Sequence, residues 1–308
     1  MKRIATTLLA ATSLCTALCA LPASAQQVIG GHDEFSENFT GASWAPAAAA
    51  TPGTVAGGVT GSHLLITEVG MRGLNSATLT DSTEFVEIYN PTGSTVDLSK
   101  VYLSDVNGYS ALPVAGTIDL AANGTDFAFK FPDGSSIGPG QVKVIAVDGG
   151  RYKRGTGVDA NFMLFNAGGT TTALQMTDVS TNRPGTYPQF GEFTNGGEFC
   201  VLFFWDGASD LVCDLDMVNW GTGSGANAPT LKTAALCQDG PDAGAVTSCY
   251  NADGGPVTAL TVPANGTGTR QRATGEVENT SGGGNGCIPG GPTATRTATW
   301  GQVKTIYR

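Results

Sequence analysis

The run Glu84-Phe85-Val86-Glu87-Ile88-Tyr89, closed at once by Asn90-Pro91, sets the tightest limit on what this chain folds into. Its apolar positions repeat every second residue, which is the period of a half-buried strand and not of a helix. Proline offers no amide to a ladder, and asparagine before it favours a turn, so the strand must stop there. A second strand-like run, Leu64-Leu65-Ile66-Thr67-Glu68-Val69, lies upstream, and Val96-Asp97-Leu98-Ser99 follows downstream. Each of the two longer runs carries a glutamate among apolar residues, and such a carboxylate needs an amide, a hydroxyl or a cation beside it.

That order of motifs, I-x-E-V, then E-F-V-E-I-x-N, then V-D-L-S, resembles the lamin-tail domain, an immunoglobulin-like β-sandwich of nuclear lamins and many secreted bacterial proteins. The resemblance implies an all-β fold and makes Glu68, Glu84, Glu87 and Asn90 markers of that fold. It continues in Asn195-Gly196-Gly197-Glu198, Asp206-Gly207, Asn219-Trp220-Gly221 and Gln271-Arg272, which are similar to the later hairpin and closing strand of bacterial members. It spans roughly residues 62–283, with 149–195 and 222–255 reading as insertions.

Around this core the chain divides into a signal peptide (1–25), an N-terminal arm or linker (26–59), the sandwich (60–283) and a flexible linker with an aromatic and basic tail (284–308). Lys2 and Arg3 precede an apolar stretch from Ile4 to Leu21, and Ala23-Ser24-Ala25 supplies a small-residue cleavage site; a cleaved signal fits better than a membrane anchor. Within the sandwich, strands are expected at His63–Val69, Thr83–Asn90, Thr95–Ser104, Asp126–Phe131 and Gln141–Asp148. A later group comprises Thr172–Met176, Glu198–Trp205, Leu211–Trp220, Pro256–Val262 and Thr267–Arg272. Phe199 to Met217 reads as a hairpin turning at Asp206–Asp210, with Leu211, Cys213, Leu215 and Met217 on one apolar face. Glycine, 44 of 308 residues, is about twice its usual ~7% usage and suits a turn-rich β-protein.

Cleavage leaves 14 basic against 26 acidic residues, a formal charge of −12. Such a surface repels phosphate backbones, so direct nucleic-acid binding is not expected. The one basic cluster, Arg151-Tyr152-Lys153-Arg154, reads as a solvated loop.

Candidate chemistry is sparse. Glu84 and Glu87 are three apart on one strand and fall on opposite faces, which does not suit a glycosidase pair. The only histidines are His32 and His63, so no triad or dyad has an evident base. Asp206 with Asp210, and Asp105 with Asn107, offer oxygen ligands of the kind calcium takes, although ordinary turn capping by Asp and Asn is the simpler explanation. Trp44, Trp205, Trp220 and Trp300 raise a glycan platform, against which stands the closing of a core by strand-terminal aromatics.

Five cysteines follow the signal. Cys237 and Cys249 bracket a polar loop and form the first expected disulfide, Cys200 and Cys213 the second, and Cys287 is left over. In the tail, Trp300, Val303, Ile306 and Tyr307 recur at helical spacing beside Lys304 and Arg308. A short segment of that kind orders only on a partner, so Trp300, Val303, Tyr307 and Arg308 read as a sorting signal or as a frayed end. The sequence thus points to an exported, non-enzymatic interaction or surface module, with no cofactor unless calcium, and with an extracellular or surface protein or a glycan as partner. The alternatives are an accessory of an extracellular nuclease or phosphoesterase, and a calcium- or glycan-binding adhesin.

Overall fold

A computed structural model describes residues 45–47, 63–70, 83–121, 125–183, 193–194, 197–221, 232, 236–242, 247–250 and 269–271. The expected signal peptide (1–25), the strand expected at Pro256–Val262 and the expected 284–308 tail lie outside them.

Two sheets face each other. The larger runs Ala45–Ala47, Thr269–Gln271, Leu65–Gly70, Phe85–Tyr89, Val142–Asp148, Phe162–Phe165, Leu174–Gln175. The smaller runs Thr177–Asp178, Ala128–Lys130, Val101–Ser104, Gly197–Phe204, Cys213–Gly221, all antiparallel. Between them lies one core: Ile66, Val86, Ile88 and Ile145 from the larger sheet meet Leu103, Phe129, Leu202 and Trp220 from the smaller. This is an all-β, immunoglobulin-like sandwich. Ala45–Ala47 pairs antiparallel with Thr269–Gln271, so a piece of the N-terminal arm docks as an edge strand beside the closing Gln-Arg strand.

Both sheets are covered on their outer faces as well. Phe85, Val144 and Ala146 pack under Tyr152, and Tyr102, Phe199, Val201 and Phe203 pack under Tyr109, Leu112 and Tyr250. Both alternating sets of Val142–Val147 are therefore needed, as a doubly covered strand requires.

The asparagine that ends Phe85–Tyr89 is fully used. Asn90 Nδ2 donates to the carbonyls of Ser94 (2.8 Å) and Ile137 (3.0 Å), and its Oδ1 accepts from the amide and hydroxyl of Thr92. Glu84 and Glu87 lie on opposite faces. Glu87 Oε1 accepts the Thr67 hydroxyl at 2.8 Å and Glu84 Oε2 accepts the Phe193 amide at 3.3 Å. Glu68 sits across from Glu87 at a register shift in the ladder. Burial pushes the Tyr152 phenol up, with Glu87 and Glu68 adding to the effect. These glutamates are wired into the sandwich.

Three expectations need correction. The basic cluster is not a loop but part of the helix Gly149–Thr156, capped by Asp148 Oδ1 accepting the Arg151 amide at 2.9 Å. A Cβ at Gly150 would meet the backbone of Gly169 at 2.4 Å, so glycine is what lets this helix lie against the 168–169 turn. Residues 149–183, read as the start of an insertion, instead supply that helix and the parallel strands Phe162–Phe165 and Leu174–Gln175, which extend the larger sheet. A parallel neighbour requires a crossover, and the helix provides it. Finally, Cys213 to Met217 is not one apolar face. A bulge opposite Leu202 and Phe203 places Leu215 in the inner core while Cys213 and Met217 join the outer cluster.

Candidate functional site

The smaller sheet gathers carboxylates at one end. Asp105 follows the strand Val101–Ser104, Asp126 precedes Ala128–Lys130, and Glu198 lies near the start of Gly197–Phe204. These three strands are neighbours and antiparallel, so the end of the middle one meets the starts of both others. Each of Asp105, Asp126 and Glu198 offers a carboxylate oxygen within 4.8 Å of the other two. All three are buried, at 0%, 2% and 1% exposure. Alternation puts Asp105 on the face of Leu103 and Glu198 on the face of Cys200 and Leu202, toward the inter-sheet core.

Asp105 Oδ1 accepts the Phe127 amide at 2.5 Å, and Glu198 Oε1 accepts the Phe199 amide at 3.2 Å, with Thr194 beside it. Asp126 Oδ2 and Glu198 Oε2 have no hydrogen-bond partner. The guanidinium of Arg183 holds the Asp126 carbonyl at 2.9 Å, Asp178 Oδ2 at 3.1 Å and Ser180 Oγ at 3.0 Å. Burial raises Asp126 to about 6, against a smaller lowering by Arg183. Burial also drives Glu198 well above the carboxylate range, and the Asp126 charge adds to it. A carboxyl raised in the folded state contributes stability that is fully present below its unfolded pKa and lost as pH rises through the folded one. In EDTA, the urea midpoint is therefore expected to fall as pH rises from about 4 toward about 8 through this pair. Glu198→Gln is expected to flatten that fall, and a midpoint slope identical to that of the parent would contradict it.

Other expected ligands separate. Asp206 Oδ1 caps its own turn, accepting the amides of Ala208 (2.9 Å) and Ser209 (2.7 Å). Asp210 instead orders the loop beyond, accepting the Gly240 amide at 2.9 Å and the Ser248 hydroxyl at 2.5 Å, near Asp239 and Asp242. Asp105 joins Asp126 and Glu198, while Asn107 falls in the following turn. The sequence reading missed Asp126 and Glu198.

Cys237 and Cys249 are directly opposed in a short ladder and joined by a disulfide. The expected Cys200–Cys213 pair does not form. Cys200 lies opposite Val218 and faces the inner core, whereas Cys213 lies opposite Phe204 in the outer cluster. Cys213 is disulfide-bonded, though not to Cys200, and among the described residues the free thiol is the buried Cys200, raised by burial and by Asp105, Glu198 and Asp216. Cys287, expected to be the odd one, is not among the described residues.

Trp205 and Trp220 are core residues and no glycan platform. Their indole N–H groups donate to the carbonyls of Ser209 (2.8 Å) and Thr194 (3.0 Å). On the outer face of the smaller sheet, Lys232 Nζ meets Asp214 Oδ2 and the Tyr109 hydroxyl, above the rings of Tyr109 and Tyr250. Where the sheets part at the other edge, a groove of about 410 Å³ is lined by Phe129, Leu164, Phe165, Gln175, Met176 and Asp178. Among the described residues no helix is long and apolar enough to cross a membrane.

Comparison with curated proteins gives no match. A crystal structure of a DUF4876 family protein from Bacteroides thetaiotaomicron VPI-5482 is similar at 18% identity and a TM-score of 0.35, covering 54% of this chain and 55% of its own. The chain thus spans about half the length of that structure. The family model of the lamin tail domain matches residues 59–186, a segment that takes in the 149–183 helix and strands and ends before the hairpin of the smaller sheet. The match to the lamin tail domain thus covers residues 59–186, and the strands that follow complete the sandwich.

Proposed function

We propose that this chain works outside the cytoplasm as a non-catalytic module that engages a partner through its surface. The observation that carries the reading is the Cys237–Cys249 disulfide, since such bonds form and persist in oxidising compartments. It agrees with the N-terminal apolar segment, with the acidic balance, and with glutamates committed to amides and hydroxyls inside the sandwich. The groove between the sheets, where the half-buried Phe165 lies beside the exposed Asn166, Gln175 and Asp178, is the surface we assign to that partner. The tail residues Trp300, Val303, Tyr307 and Arg308 would then serve as its sorting signal.

Fractionation of cells producing three forms tests this. The full chain should leave the cytoplasm with Cys237 and Cys249 resistant to alkylation. A form lacking residues 2–25 should remain inside with both alkylated and at least about 3 kcal/mol less stable, the value expected for the closed Cys237–Cys249 loop alone. A form lacking 300–308 should fold equally well but accumulate elsewhere. If the full chain and the form lacking 2–25 share a compartment and a thiol state, the export reading is wrong.

A further inference from the structure

We propose that Asp105, Asp126 and Glu198 form a buried calcium site at the end of the smaller sheet. Three carboxylates at the ends of adjacent strands converge within 4.8 Å, with two of them, Glu198 and Asp105, turned toward an apolar core. The independent observation is that Asp126 Oδ2 and Glu198 Oε2 have no hydrogen-bond partner while their residues are 2% and 1% exposed. Leaving a carboxylate oxygen in that state is costly unless something positive takes it.

The chemistry of the cluster selects the ion. Its donors are all carboxylate oxygens, a set for hard cations, and the Cys200 thiol is not part of the group. Magnesium keeps several waters in a strict octahedron, which suits a wet cleft. Calcium accepts six to eight oxygens in an adaptable shell and loses water more readily, which suits a dry pocket. The cluster around Asp210 is different: the oxygens of Asp210 already hold Gly240 and Ser248, and Asp239 is exposed to water. A cation between the ends of Val101–Ser104, Ala128–Lys130 and Gly197–Phe204 would tie these three strands together where their ladders end.

The test uses the purified full chain, freed of metal with EDTA and dialysed, then titrated with calcium alone and with terbium alone. The outcome does not depend on export, so failure here leaves the proposed function standing and the reverse also holds. One calcium per chain should bind, and at a hundredfold excess over Kd the melting temperature should rise by roughly 5–10 °C. Terbium should emit on tryptophan excitation, because Trp220 is the strand partner of Glu198. Glu198→Gln should bind calcium at least about tenfold more weakly and lose most of the thermal shift. Asp126→Asn should behave in the same way, which covers the case in which Glu198→Gln does not fold. Asp239→Asn should bind like the parent. No stoichiometric calcium and no thermal shift in the parent would overturn the proposal, as would undiminished binding in the folded Glu198→Gln or Asp126→Asn variant.

Discussion

Lys232→Met is expected to destabilise the chain by about 3–5 kcal/mol, because it strands a buried carboxylate. The Lys232 and Asp214 side chains are 0% and 3% exposed, and the ammonium is shared between Asp214 and the Tyr109 hydroxyl. The pair need not stabilise the fold in net terms, since desolvation offsets most of its Coulombic gain; the loss comes from removing one partner alone. The double variant Lys232→Met/Asp214→Leu should therefore recover a large part of the stability lost by the single one. Urea unfolding followed by tryptophan fluorescence measures both. A single-variant cost below about 1 kcal/mol would mean that the ammonium reaches water and that the pair behaves as a surface ion pair.

Trp220→Ala is expected to cost a similar amount, about 3–5 kcal/mol, and for a different reason. Trp220 is 1% exposed, packs edge-on against Phe193 at 5.3 Å and donates its indole N–H to Thr194. Truncation leaves a cavity in the inner core and removes the donor to the Thr194 carbonyl. Trp220→Phe keeps most of the volume and should lose less, with about 1 kcal/mol attributable to the missing hydrogen bond. An exposed platform residue would instead change stability by no more than about 0.5 kcal/mol on truncation. Calorimetry on the three proteins separates the two roles.

The local grammar of this fold was legible because its signals are local. Alternation in Phe85–Tyr89 and Val142–Asp148, and the Asn90-Pro91 stop, depend on neighbours within a few residues. What escaped the sequence depends on pairing. The bulge that turns Leu215 inward arises from the register against Leu202 and Phe203, and strict alternation cannot foresee it. The same register keeps Cys200 and Cys213 apart. The helix Gly149–Thr156 was hidden by its glycines, residues that discourage helices in general but are required where this one touches the 168–169 turn. The carboxylate cluster is the clearest case. Asp105, Asp126 and Glu198 each stand at a strand boundary visible in the sequence, yet nothing local says that Val101–Ser104 lies between the other two strands. Lys232 came from a segment read as an insertion, with no signal that its charge is buried.

The intact mass of the protein recovered from the medium or envelope of the cells that produce it, taken without reduction, bears most directly on the central claim. The expected mass is that of residues 26–308 less the hydrogens lost in the Cys237–Cys249 and Cys213 bonds, with those hydrogens restored by reductant. A species of mass corresponding to the whole chain from Met1, with no gain on reduction, would contradict it.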